Sequence, residues 1–365
     1  MLRGCRECAS RAGTPAGGLQ FGAVVPVAPA ARRARAAARR AGPPALGAHV
    51  SVAGGLANAF ARAAELGCEA IQVFVKNANQ WRGRPLLDDE AAAFRTAHAA
   101  SGVGTVMAHA SYLINLAAAD PVVAARSRAG LADELERCGR LGVAGLVVHP
   151  GAHLGAGEEA GADQAAAALA EVLAAVPGAA TRVLLENTAG QGSCLGWRLE
   201  HLARIRSGVG GARERRRVGI CIDSCHAFAA GYAVHEPAGW EELLAELDRL
   251  GLASVLACLH LNDSARPFGS RRDRHAHIGA GAIGRPAFAR LLAHPALGGL
   301  PMILETEHGP AMSGLRADLA VLRELLGAPP AGGRSIPPIQ ATKSRAGSPA
   351  AGVASRRTRR PPPSA

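Results

Sequence analysis

Six short apolar runs of this chain end in, or lead into, a side chain that can hold a metal ion: His109, His149, Glu186, Asp223, His260 and Glu305. They are separated by 40, 37, 37, 37 and 45 residues. One carboxylate buried at the end of an apolar run can be satisfied by a local partner, at a cost. Six groups at one periodic position call for a common partner. Two of the six have further donors close behind them. Asp223 is followed by His226 in CIDSCHAFAAGY, and the polar stretch LHLNDSARPFGSRRDRHAHIGAG carries Asp273 and His275 after His260. The set is then five imidazoles and four carboxylates. Such a mixture favours Zn2+, with Mn2+ or Fe2+ as alternatives, whereas an all-oxygen set would favour Mg2+. Nine donors are too many for one tetrahedral ion and, with bridging carboxylates, enough for two or three. Four crowded carboxylates repel one another unless cations neutralise them. Three divalent ions turn their charge of −4 into +2, which suits an anionic phosphate. Hydrolysis of a phosphodiester is the natural chemistry of such a cluster.

These donors need a frame that brings them together. Between residues 45 and 327, eight apolar runs alternate with helical patterns: ALGAHV, AIQVFV, GTVMAHA, GLVVHP, RVLLEN, VGICID, LACLHL and LPMILE. They lack strict polar alternation, as strands buried on both faces of a parallel sheet do. GLANAFARAAELG places Leu56, Phe60, Ala63 and Ala64 on one helical face and stops at Gly67. LADELERCGRLG repeats the pattern with Leu131, Leu135 and Cys138, and the last helix spaces Leu315, Leu319, Leu322 and Leu326 in the same way. Eight strand–helix units predict an α/β fold, a single-domain (β/α)8 TIM barrel whose strand ends share one rim. An open doubly wound sheet is the alternative, but the glycine-rich dinucleotide turn expected after its first strand is absent.

The net charge of +12 has to be located before it is interpreted. Residues 1–45 carry eight Arg and one Glu, and residues 328–365 carry six Arg, one Lys and no acid. The body, residues 46–327, is left at −2. The basicity therefore says little about what the folded part binds. The first segment has the composition of a plastid or mitochondrial transit peptide, or of a disordered leader that would leave the protein in nucleus or cytoplasm. The Pro-, Ser- and Arg-rich last segment reads as a disordered, solvated tail. No apolar run reaches the roughly 18 residues of a membrane span. Of eight Cys, Cys5 and Cys8 form a CxxC in the leader with no second pair at zinc-ribbon spacing. The other six read as buried, reduced thiols.

The segments GAHVSVAGGLANAF, ASYLINLA, VHPGAHLG, ENTAGQGSCLG, CIDSCHAFAAGY, LHLNDSARPFGSRRDRHAHIG and ILETE together resemble the endonuclease IV family of abasic-site DNA-repair enzymes. The resemblance covers residues 46 to 326. It implies a TIM barrel with three zinc ions, for which manganese could substitute. His109 and His149 would hold the first ion, with Glu186 bridging it to the second. Asp223, His260 and Glu305 would complete the second, and His226, Asp273 and His275 would hold the third. It further implies cleavage of the phosphodiester 5′ to an abasic site in double-stranded DNA by a metal-held hydroxide that Glu186 orients. The products would be a 3′-hydroxyl and a 5′-deoxyribose phosphate, and blocked 3′ ends would also be trimmed. By the same likeness, KNANQW (76–81) and ASYLINL (110–116) are DNA-contacting loops. Asn79 and Gln80 belong to the first, and Tyr112 and Leu113 are the wedge residues of the second. The chain would act as a monomer, away from membranes.

This sequence departs from the family pattern at Asn79, where an Arg is usual, and at Ala280, where a Glu is common. Both changes imply weaker DNA contact with the ligand set intact. His49 ends the first strand and would orient a ligand or a phosphate. His153 and His277 adjoin ligand motifs and are candidate phosphate contacts. His98, His201, His235, His294 and His308 read as solvent-facing. Two rival functions remain: a sugar isomerase or epimerase, which would use Glu186, Asp223, His260 and Glu305 alone, and a non-catalytic binder of abasic DNA.

Overall fold

The computed structural model describes residues 42–327. Its centre is a closed, all-parallel barrel. The first four strands are β1 (Ala45–His49), β2 (Ala70–Val73), β3 (Thr105–His109) and β4 (Gly145–Val148). β5 (Arg182–Glu186), β6 (Val218–Asp223) and β7 (Leu256–His260) follow. Two short strands, β8 (Asp263–Ser264) and β9 (His275–Ala276), pair outside the barrel, and β10 (Pro301–Leu304) closes it against β1. All eight apolar runs form the barrel strands, so the TIM barrel expected from the sequence is the observed fold. The readings of residues 1–41 and 328–365 lie outside the described residues.

The helices obey their local signals. The helix Asn58–Leu66 ends at Gly67, which adopts φ 64° and donates its N–H to the Ala63 and Ala64 carbonyls. The left-handed turn is cheap there because glycine has no Cβ. The helix Pro121–Leu141 begins ten residues before the LADELERC pattern, because Asp120 caps it by accepting from Val122 N and Val123 N and Pro121 opens the first turn.

Inside the barrel the period of two along each strand stacks two bands of side chains. The lower band is apolar: Ala70, Met107, Val147, Leu184, Cys221, Cys258 and Ile303. Gly47 completes it, level with Ala70 on one side and Ile303 on the other. Two residues further along each strand stands the upper band: His49, Gln72, His109, His149, Glu186, Asp223, His260 and Glu305. The same alternation thus sets an apolar plug directly beneath a polar ring. At Gly47 the neighbouring strand comes so close that a Cβ would lie 1.6 Å from Ala70 O. Only a residue without a side chain fits. We expect Gly47→Ala to separate β1 from β2 and to lower the unfolding free energy by at least about 3 kcal/mol in denaturant titration. A loss below about 1 kcal/mol would show that the barrel closes in some other way.

Candidate metal centre

Glu186 is fully buried at the end of β5 and faces other donors with both of its oxygens. Its Oε2 lies 3.3 Å from His109 Nε2 and 3.0 Å from His149 Nε2. Its Oε1 lies 2.8 Å from His260 Nδ1, which is also 3.1 Å from Glu305 Oε2. Donor atoms of Glu186, Asp223, His260 and Glu305 all fall within 4.8 Å of one another, as do those of His109, His149 and Glu186. A third group at the same tolerance is His226, Asp273 and His275, with Asp273 Oδ2 and Oδ1 each 3.2 Å from one imidazole. All nine residues singled out in the sequence meet at the barrel mouth, in three groups joined through Glu186 and its neighbours.

Local structure explains how this density of donors is held. Asp223 N-caps the helix Ser224–Ala230 by accepting from His226 N at 2.6 Å. The spacing D-x-x-H therefore fixes both donors through one cap. The imidazole tautomers are set by outer partners, so that the other nitrogen faces the cluster. His109 Nδ1 donates to Ala110 O at 2.8 Å, and His226 Nδ1 donates to Asn187 O at 2.9 Å. His260 Nε2 donates to Gln72 Oε1 at 2.9 Å, which leaves Nδ1 facing Glu186 and Glu305. The buried Nε2 of His275 has no hydrogen-bond partner although Asp273 is near. An orphaned buried nitrogen aimed into a ring of carboxylates fits a cation position.

Several of these supports are not signalled by the sequence pattern. Gln72 joins His260 to Glu305 Oε1 at 2.5 Å and to His49 Nδ1 at 3.1 Å, which gives His49 its orienting place beside Glu305. Asn262 donates to Asp223 Oδ2 at 2.6 Å and accepts from Glu305 N at 2.9 Å. Asp263 gathers the inserted loop: its carboxylate accepts from Ser264, Gly279, Gly281, Ile283 and Gly284 backbone N–H groups. With the β8–β9 pairing of Ser264 and His275, this carries Asp273 and His275 back over the rim.

The DNA-contacting loops inferred from the resemblance lie at the same rim. Tyr112 is exposed and Leu113 half-buried, and Asn79 and Gln80 lie on the adjoining loop, Gln80 exposed. A buried ion pair, Lys76 Nζ to Glu134 Oε1 at 2.8 Å, latches the two loops together, since Glu134 also accepts from Ser111 N. Other histidines differ from expectation. His201 is buried, accepting from Gly196 N and pairing with Glu158, because the turn before its helix folds back over it. His98 packs on Phe60 and His235 between Phe228 and Phe268, while His308 lines the cavity. His153 accepts from Gly157 N and His277 pairs with Asp318, so both serve the fold, and neither lines the cavity.

The electrostatics of this ring follow from burial opposed by pairing. Burial alone would raise the Glu186 carboxyl, but the imidazoles of His260, His149 and His109 hold it well below the carboxylate range. Burial would likewise raise Asp273, and His226 and His275 reverse it. Burial opposes protonation of His275, yet Asp273 and Asp223 lift it to about 9. Below that value the His275 imidazole carries a proton when no cation is bound, so a cation taking its nitrogen must displace that proton, and its affinity climbs as pH rises toward about 9. Zinc added to chelator-stripped protein in weak buffer is therefore expected to release protons, and to bind more tightly at about pH 8 than at about pH 6. Equal affinity at the two values would remove this group from the site.

A family model described as a xylose isomerase-like TIM barrel matches residues 60–325. A probable endonuclease 4 from Chloroflexus aurantiacus is 48% identical over 283 residues, spanning 78% of this chain and 98% of that protein. The crystal structure of endonuclease IV from Thermus thermophilus superposes with a TM-score of 0.67 at 38% identity, over 78% of this chain and 99% of that one. A D-tagatose 3-epimerase-like protein superposes at 0.60 with 19% identity over 78% of this chain and 97% of that one, a likeness of fold alone. With the nine donors gathered as described and nearly the full length of the curated relative matched, this chain belongs to the endonuclease IV family.

Proposed function

We propose that the protein is a metal-dependent endonuclease of base excision repair. It hydrolyses the phosphodiester 5′ to an abasic site, leaves a 3′-hydroxyl and a 5′-deoxyribose phosphate, and trims blocked 3′ ends. The observation that carries this reading is the convergence of three donor groups around Glu186 beside a cavity of about 930 Å³. The donor set fits zinc, or manganese in its place: His109, His149 and Glu186 for one ion, Glu186, Asp223, His260 and Glu305 for a second, and His226, Asp273 and His275 for a third. When bound, such ions supply charge neutralisation at the phosphate and an ionised water near neutral pH.

The rest of the chemistry is positional. Glu186 turns one oxygen to each of two groups and so fixes their spacing. Gln72, Asn187 and Asn262 hold the imidazoles and Asp223 in a single orientation. Arg274 and His308 line the cavity and offer contacts to phosphates. Tyr112 and Leu113 serve as wedges, and a nucleotide without its base costs less to unstack and turn inward. Asn79 and Gln80 approach the minor groove without a cation, which weakens phosphate attraction there. The protein acts as a monomer, and the Arg- and Ala-rich leader favours delivery to a plastid or mitochondrion. Among the described residues no helix is long and apolar enough to cross a membrane.

A sugar epimerase of this fold has no use for His226, Asp273 and His275, and a non-catalytic DNA binder has no use for any of the nine. Those three residues therefore favour hydrolysis. The test is a duplex bearing one tetrahydrofuran abasic analogue. Incision 5′ to the analogue with a 3′-hydroxyl end is expected, lost on strong chelation and reduced at least about 10³-fold by Glu186→Gln. An intact duplex in metal-replete conditions would overturn the reading. In the same system Asn79→Arg is expected to tighten binding to abasic duplex several-fold, and unchanged or weaker binding would refute the role given to that loop.

A further inference from the structure

Two thiols face each other one band beneath the carboxylates. Cys221 on β6 and Cys258 on β7 are register partners on neighbouring parallel strands, and both are fully buried. Each stands two residues before a member of the polar ring, Asp223 and His260, so strand alternation turns both toward the barrel axis below it. Both are free, and nothing in the proposed hydrolysis uses them. Their sulfur atoms and one ring nitrogen of His260 lie within 4.8 Å of one another.

We propose that Cys221, Cys258 and His260 form a buried site for a thiophilic divalent cation, separate from the three groups above and competing with them for His260. Two sulfurs each about 2.3 Å from one tetrahedral ion lie roughly 3.8 Å apart, so donors within 4.8 Å of one another can close on a single ion with a small movement. Two thiolates and an imidazole select soft ions and reject magnesium or manganese. Charge decides the valence, because Met107, Leu184 and Ile303 make the surrounding band apolar. A divalent ion with two thiolates is neutral there, while a monovalent one leaves a buried negative charge. As each metal–sulfur bond forms, the thiol proton passes to solvent, two protons per ion.

Occupation has a consequence for the ring above. His260 Nδ1 already faces Glu186 and Glu305, and Nε2 already donates to Gln72. Whichever nitrogen the soft ion takes, the cluster loses either a donor or the bond that orients it. A sulfur-seeking ion would therefore inhibit from below. This consequence rests on the nuclease reading, whereas binding itself does not.

The test uses the full chain, loaded with zinc and carrying Cys5→Ser and Cys8→Ser to remove the leader pair, titrated with Cd2+. A sulfur-to-cadmium charge-transfer band should saturate at one equivalent per chain, and Cys221→Ser and Cys258→Ser should each abolish it. X-ray absorption at the cadmium edge should count two sulfurs per ion, a readout that needs no variant to fold. Incision should fall at least about tenfold over the same titration, and Cys258→Ala should escape that loss. No band, a band that survives either substitution, or an oxygen- and nitrogen-only cadmium shell would overturn the site. Equal inhibition of Cys258→Ala would overturn the competition for His260. A protein without incision before cadmium is added would sink the nuclease reading while the spectroscopic result still decides the thiol site.

Discussion

The structure is governed by the cost of the ring that caps the barrel. Glu186, Asp223 and His260 are wholly shielded from water, with His109 and His226 close behind and the Glu305 side chain mostly covered. Ionised groups leave water only when opposite charge or hydrogen bonds replace the solvation they lose. Without cations the ring answers this with protons, which its carboxylates hold on imidazoles such as His275. Were cations bound there, the protons would leave and the same carboxylates would become ligands. Four acids in this position demand positive charge, which protonated imidazoles supply in part and bound cations would supply in full. The body of the chain is slightly acidic, so the attraction for phosphate has to be generated locally, at the mouth of the barrel.

Rigidity comes from what surrounds the ring. Below it, the apolar band presses the strands to close spacing, most tightly at Gly47. Around it, amides that carry no charge fix the donors: Gln72, Asn187 and Asn262 each bond two partners or more. Above it, Asp263 holds the inserted loop by five backbone amides, so that Asp273 and His275 return to the axis although they belong to no barrel strand. Preorganisation of this kind is what lets a cluster act on a substrate without first reorganising itself.

The nine donors and the eight strands are legible because two periods coincide in the sequence. Buried parallel strands announce themselves as apolar runs, and a charged residue at the end of such a run has no bland explanation when it recurs. Gln72 gives no such signal, because a single neutral amide at a strand end carries no contradiction. Asp263 hides inside a polar loop, where an acid looks solvated, and only the folding of Gly279–Gly284 around it shows its burial. His201 looks exposed for the same reason: helical context gives no hint of the turn at Gly196 that buries it. The helix Pro121–Leu141 starts earlier than its apolar pattern suggests, because its Asp-Pro opening precedes that pattern by several residues. Charged donors at the strand period, or in a dense polar motif such as that of Asp273 and His275, are thus readable, whereas a neutral amide such as Gln72 or a group buried by loop geometry is not.

Hydrolysis as proposed requires cations in that ring, and the most direct test is to count them. Full-length protein purified without chelators and assayed by inductively coupled plasma mass spectrometry should carry about three divalent ions per chain, zinc foremost. Asp273→Ala should reduce the count by one while leaving the barrel folded. Fewer than two ions per chain in the parent protein, or a count indifferent to Asp273, would contradict the claim that this ring is a metal cluster.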